Sequence, residues 1–307
     1  KVKKGAGSAM KKILECVPNF SEGRNRENIA KIVAPFKGKT DLRLLDTQRD
    51  EDHNRLVVTV IGEPEALKTA VIAAMGEAIA LIDLRRHQGQ HPRMGAVDVV
   101  PFIPVKNVTM AEAVDISKVV AAEASRQYNL PVFLYEASAS RPERRNLAAI
   151  RKGQFEGMAE KIKAPEWTPD FGPPEIHPSA GVTAVGARMP LVAFNVNLDT
   201  DRLDIADGIA RRARHINGGL RYCKAMGVRL QERGIVQVSI NMTDYTQTAL
   251  YQAFELIRIE ARRYGVNVIG SEIVGLVPMA ALVDTAAYYL GLEDFSADQV
   301  LETRLET

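Results

Sequence analysis

Five histidines occur in the chain, His53, His87, His91, His177 and His215, and two of them bracket its most chemically equipped stretch. His87 and His91 lie four residues apart in His87-Gln88-Gly89-Gln90-His91-Pro92-Arg93-Met94-Gly95-Ala96. On a helix that spacing would put two imidazoles on one face, as zinc sites do. Gly89 between them and Pro92 after them argue that the helix has already ended. No Glu follows His87 directly and no third ligand is evident, so no metal is expected. What remains is a polar, glycine-punctuated loop joining a long helix to a buried strand, where α/β scaffolds commonly carry their sites. It offers an imidazole that titrates near neutrality, His91, and a guanidinium two residues on, Arg93. That pair suits acid–base chemistry. A solvated loop whose histidine bonds a carbonyl is an equal alternative on the residues alone.

Two further polar clusters stand out. Asp52-His53-Asn54-Arg55 precedes a strand, and Asn195 and Asn197 share one strand face by the period of two, with Phe194, Val196 and Leu198 on the other. Buried amides need partners, either backbone or a polar ligand. Cys16 lies in an apolar strand and reads as core rather than nucleophile. Gly218-Gly219 does not follow a strand, so it makes no phosphate loop.

The elements that position these residues come in two rounds. Lys12–Val17 reads as a buried strand, Asn25–Phe36 as a helix with Ile29, Ile32, Val33 and Phe36 on one face, and Leu42–Leu45 and Leu56–Ile61 as two strands. A helix from Pro64 to about Leu84 and a strand over Ala96–Val100 complete β-α-β-β-α-β, the ferredoxin-like unit. The order returns after residue 189: a strand at Leu191–Leu198, a helix at Arg202–His215, strands at Val228–Leu230 and Ile235–Ile240, a helix at Thr246–Tyr264, and a strand-rich Val266–Val277. Between the rounds lie a helix (Met110–Tyr128), a strand (Val132–Tyr135), a helix near Arg141–Lys152 and a linker, Trp167–Ser179, whose four prolines forbid a helix. So long a loop is usually functional or disordered. The expected fold is α/β (α+β): two tandem ferredoxin-like α/β sandwich subdomains, residues 10–180 and 181–307, each with an antiparallel or mixed sheet.

Composition removes other classes. With 307 residues, 46% hydrophobic and 25% charged, the chain can build a core without disulfide or metal staples. A formal charge of +2 does not advertise nucleic-acid binding, and no apolar run reaches the roughly 18 residues of a membrane span. Cys16 and Cys223 are far apart, which excludes a zinc ribbon and fits a reducing cytoplasm. Residues 1–9 (KVKKGAGSA) read as an expression scar before Met10.

Six segments in register carry a resemblance. Glu15–Gly23 (ECVPNFSEG), Asn54-Arg55, His91–Val105 (HPRMGAVDVVPFIPV), Glu166–Pro173 (EWTPDFGP), Gly186–Leu198 (GARMPLVAFNVNL) and Val268–Pro278 (VIGSEIVGLVP) together resemble the formiminotransferase family. Its members are glutamate formimidoyltransferases and the transferase part of formiminotransferase-cyclodeaminases. The chain stops where the cyclodeaminase part would begin, so it resembles the stand-alone form. The resemblance implies transfer of the formimidoyl group of N-formimidoyl-L-glutamate to N5 of tetrahydrofolate in histidine breakdown. It implies tetrahydrofolate as co-substrate, no metal, no nucleic-acid or membrane partner, a cytoplasmic homodimer, and a folate cleft between the two halves. The family's catalytic histidine corresponds to His91. Its folate-contacting segment corresponds to Gly172, Pro173, Pro174, Glu175, Ile176, His177, Pro178, Ser179, Ala180 and Gly181, where the ends match better than the middle. The chemistry adds Arg55, Arg93 and Arg188 as forks for the donor's carboxylates, with Asn54 beside them, and Asn195 and Asn197 as amides for the pterin. The alternatives are a related folate enzyme using another formimidoyl or formyl donor, including salvage of 5-formyltetrahydrofolate, and a folate-binding protein without turnover.

Overall fold

A computed structural model describes residues 12–305; the residues read as an expression scar lie outside them. Strand β1 (Ile13–Cys16) buries Leu14 and Cys16 and turns Glu15 to the other face. Pro18 interrupts the ladder, having no N–H to give, and β2 (Asn19–Phe20) resumes between the same two neighbours. Helix α1 (Arg26–Val33) begins at Asn25, whose side chain accepts from the N–H groups of Glu27 and Asn28 at 3.0 and 3.1 Å. A hairpin follows, β3 (Leu42–Asp50) and β4 (Arg55–Gly62), then α2 (Pro64–Leu81) and β5 (Val97–Lys106). The β1/β2 strand lies between β4 and β5, and β3 lies outside β4, which is the ferredoxin-like order.

The first unit then grows. After α3 (Met110–Tyr128) come β6 (Val132–Glu136), α4 (Leu147–Arg151), α5 (Gln154–Lys161) and β7 (Thr183–Ala187). Strand β7 inserts between β5 and β6, parallel to both, so this sheet is mixed. Leu14, Phe20, Met75 and Phe102 belong to the core shared with α1, α2 and α3. A smaller cluster, with Met94, Phe133, Ile150 and Met158, packs under α4 and α5.

The second unit repeats the order with β8 (Val192–Leu198), α6 (Leu203–Ala213), β9 (Cys223–Leu230), β10 (Ile235–Met242), α7 (Leu250–Arg263) and β11 (Val268–Val274). Its sheet is antiparallel, ordered β11-β8-β10-β9. Helices α8 (Met279–Leu290) and α9 (Leu301–Leu305) follow. Among the described residues, no helix is long and apolar enough to cross a membrane.

The boundary falls after Arg188, not between residues 180 and 181. The reason is β7: its residues pair with Val99–Phe102 and with Val132–Glu136, so they belong to the first sheet. Several element bounds also move, β3 and β5 running longer than expected among them. Strand β9 is eight residues long rather than three. Helix α7 starts at Leu250, because Asp244 draws Thr246 into a turn, its carboxylate accepting the Thr246 N–H at 3.1 Å. The helix expected near Arg141–Lys152 is a short turn followed by the five-residue α4.

Candidate active site

The segment between α2 and β5 is the loop its glycines and proline suggest, and several other segments hold it. At its start, Asn54 donates from Nδ2 to Gln88 O at 2.9 Å while its Oδ1 accepts the Gly23 N–H at 2.8 Å. Asn54 sits in the left-handed region (φ 49°), a conformation asparagine tolerates better than most residues. Gln90 N–H bonds Asp52 O at 3.2 Å. At its end, Ser21 donates from Oγ to Gly95 O at 2.8 Å and from its N–H to Ala96 O at 2.9 Å. Asn54 is thus a clip for the loop, through a backbone carbonyl and a backbone amide.

His87 and His91 have opposite environments. His87 Nδ1 accepts from Arg93 Nε at 3.2 Å, so Nε2 carries the proton and donates to Asn54 O at 3.0 Å. Both ring nitrogens are engaged in holding the loop. A metal shared by His87 and His91 would have to break these bonds. His91 Nε2 is buried with no hydrogen-bond partner among the described residues. Leaving such an atom unpaired costs about 1–3 kcal/mol, so it calls for a partner.

Asp98 Oδ2 lies 3.9 Å from that nitrogen, an electrostatic contact too long for a hydrogen bond. Asp98 interrupts an apolar strand because β5 bulges there: β2 pairs Asn19 with Val99 and Phe20 with Val97, leaving Asp98 as the extra residue. A bulge re-aims the side chain of its extra residue. Asp98 Oδ1 accepts the Met94 N–H at 2.8 Å, and Oδ2 accepts from Arg151 Nη2 at 2.5 Å. Burial opposes the ionised form of Asp98, but Arg151, His91 and the Met94 N–H outweigh it and hold the carboxyl below the usual aspartate range. Burial pushes the His91 pKa down from its ordinary value; Asp98 opposes the shift, and the charges of Arg55 and Arg151 reinforce it. The imidazole is therefore neutral at pH 7, the form that can accept a proton.

The expected arginines separate. Arg55 belongs to this cluster: its charge acts on His91, burial and Arg151 lower its own pKa, and its Nε is buried without a partner among the described residues. Arg93 is committed elsewhere, forking Glu156 at 2.6 and 2.9 Å. Both arms of the Arg93 guanidinium are thus on the Glu156 carboxylate. Arg188 follows β7 and acts on Glu15 and Tyr135. In the second unit Asn195 and Asn197 do share a face, and their partners are protein groups: Asn195 Nδ2 donates to Glu272 Oε1 at 3.2 Å, and Gln237 Nε2 donates to Asn197 Oδ1 at 3.0 Å and to Glu272 Oε1 at 2.7 Å.

The segment 172–181 lies against the His91 loop. Leu84 N–H bonds Ser179 O at 2.8 Å, Ala96 N–H bonds Ala180 O at 2.9 Å, and Val182 N–H bonds Met94 O at 3.0 Å. His177 and Gly181 exchange backbone bonds of 3.0 and 2.9 Å, and His177 Nδ1 accepts the Ala180 N–H at 3.0 Å, closing a tight turn. Gly181 has φ +70°, and a Cβ there would meet Met94 O at 2.2 Å, so this close approach of backbones requires glycine. Upstream, Asp170 accepts from Leu134 N–H at 2.7 Å and from the fully buried Arg144 at 2.8 Å, anchoring the start of the segment on β6. Between these anchors Pro174 and Glu175 are exposed.

Sequence reasoning missed Asp98, Arg151 and Glu156. A lone carboxylate in Ala96-Val97-Asp98-Val99-Val100 was the available signal for Asp98, because a buried charge in an apolar strand requires a partner. Nothing comparable marked Arg151.

Comparison with known proteins places this site in a family context. The description "Formiminotransferase domain, N-terminal subdomain" matches residues 13–188, and "Formiminotransferase domain" matches residues 193–304. A glutamate formimidoyltransferase of Streptococcus pyogenes is 55% identical, covering 96% of this chain and 99% of its own length. One of Thermoplasma acidophilum is 41% identical, covering 96% and 97%. A formimidoyltransferase-cyclodeaminase of Rattus norvegicus is 42% identical over 92% of this chain, which spans 53% of that protein.

Proposed function

This chain belongs to the formiminotransferase family and is a formimidoyltransferase, and from that premise we propose that it transfers the formimidoyl group of N-formimidoyl-L-glutamate to N5 of tetrahydrofolate, in histidine degradation, with His91 as the proton carrier. The observation that carries the reading is His91 Nε2, buried without a hydrogen-bond partner among the described residues and 3.9 Å from the Asp98 carboxylate, on an imidazole depressed in pKa.

His91 keeps its proton on Nε2, toward Asp98, and presents the Nδ1 lone pair to the substrate. It takes the N5 proton as the N5–carbon bond forms. The resulting imidazolium, stabilised by Asp98, gives a proton to the glutamate nitrogen as the carbon–nitrogen bond of the tetrahedral adduct breaks. One imidazole so placed contributes typically 10²–10⁴-fold. Arg55 is the guanidinium of this cluster suited to a donor carboxylate. The segment 172–181 supplies the folate contacts; its ends are fixed by hydrogen bonds and its prolines limit the entropy lost when it orders around a ligand.

Assaying the protein with tetrahydrofolate and a panel of donors tests this. Turnover is expected with N-formimidoyl-L-glutamate. Turnover confined to a formyl donor would replace the proposed substrate, and folate binding without turnover on any donor would contradict catalysis.

A further inference from the structure

Around His91 the charged groups are few and come from separate elements: Asp98 from β5, Arg151 from the end of α4 and Arg55 from β4, with Asp50 of β3 acting on Arg55. Arg93 and Glu156 pair with each other. The same oxygen, Asp98 Oδ2, faces both Arg151 at 2.5 Å and His91 at 3.9 Å. The other oxygen is held by the Met94 N–H at 2.8 Å, which fixes the plane of the carboxylate. Arg151 is itself anchored, because Lys161 Nζ donates to the carbonyls on either side of it, Ile150 O at 2.7 Å and Lys152 O at 3.2 Å, closing the end of α4. The carboxylate is thus drawn toward the guanidinium and away from the imidazole.

We propose that Arg151 is a positioning residue for the transfer: its hold on Asp98 keeps that carboxylate from hydrogen-bonding His91 and so leaves the imidazole neutral and able to accept a proton. A full hydrogen bond from Asp98 would favour the imidazolium and lower the fraction of competent base at neutral pH. Arg151 leaves enough of the Asp98 charge, at 3.9 Å, to stabilise the imidazolium once the proton has moved. The inference rests on His91 being the proton carrier, and its test is built to separate the two.

The test is Arg151→Met and Arg151→Gln, two uncharged replacements of different polarity, with Arg151→Lys as the conservative variant and thermal melts to confirm folding. His91 is titrated by NMR in the absence of substrate, and the acid limb of kcat/KM is recorded beside it. The expected result is a His91 pKa raised by about half a unit or more in the uncharged variants, a matching upward displacement of the acid limb, and restoration of both toward wild type by Lys. A His91 pKa that is unchanged or lowered in either folded uncharged variant overturns the role of Arg151. A raised His91 pKa with an unmoved acid limb upholds Arg151's control of His91 and overturns His91 as the base.

Discussion

His91 and His87 differ by four positions in sequence and by everything that matters in their surroundings. His87 spends both nitrogens on the loop, whereas His91 Nε2 is buried without a hydrogen-bond partner among the described residues. The histidine was legible because its loop joins a helix to a strand and carries a family motif. Asp98 was marked only as a lone carboxylate in a run of valines; its direction was not legible, since the bulge that turns it toward His91 is a property of pairing register. Arg93 stands near His91 in sequence, but its hydrogen-bond partners in space are His87 and Glu156. Arg93→Lys cannot keep both arms on Glu156 and the contact to His87. We expect it to destabilise the protein by about 1–2 kcal/mol, read by urea denaturation, with no change in the donor's KM beyond about twofold. A large rise in that KM at unchanged stability would restore Arg93 as a substrate fork.

At the scale of elements, the helices and strands around the site follow their apolar periodicity closely; α3 runs over Met110–Tyr128 as expected, between its Thr109 cap and a left-handed Asn129. What escaped was β7. Thr183-Ala184-Val185-Gly186-Ala187 is short and small, without the bulk or alternation that announces a strand, and its burial comes from its two neighbouring strands and the helix α3 packed on it. The segment before it has two separable jobs, and two variants divide them. Deleting two residues near the exposed Pro174 and Glu175 should raise the KM for tetrahydrofolate severalfold or more while leaving the melting temperature nearly unchanged. Asp170→Ala instead strands the buried Arg144 guanidinium and should cost about 3–5 kcal/mol of stability. If the deletion leaves folate affinity and turnover intact, the segment is only a tether.

For the whole molecule, the duplicated ferredoxin-like order was readable from element succession, and both sheets have it. The unit boundary was not, because it depends on which sheet β7 joins. Charge is also unevenly placed: four of the five histidines precede Arg188, and His87, His91 and His177 are all pushed down in pKa, chiefly by burial. As pH falls through about 6.5, the unfolded chain binds protons at these positions before the folded one does. Their effect is therefore a loss of stability that grows until pH passes below the folded pKa values. Glu15, raised by burial, works in the opposite direction, one group against three. Urea midpoints should fall between pH 7.5 and 5.5, and hydrogen exchange should locate the loss in residues 12–188. A midpoint that rises over that interval would contradict the assigned environments.

That His91 carries the proton is the proposal on which the rest depends. Its most direct test is the turnover of His91→Ala against His87→Ala, with tetrahydrofolate binding measured separately by calorimetry. His91→Ala should bind folate within a few-fold of wild type and lose about 10²–10⁴ in kcat. His87→Ala, which loosens the loop but removes no reacting group, should lose less than about tenfold. Near-wild-type turnover in His91→Ala, with a large loss in His87→Ala, would contradict the account and move the chemistry to the other histidine.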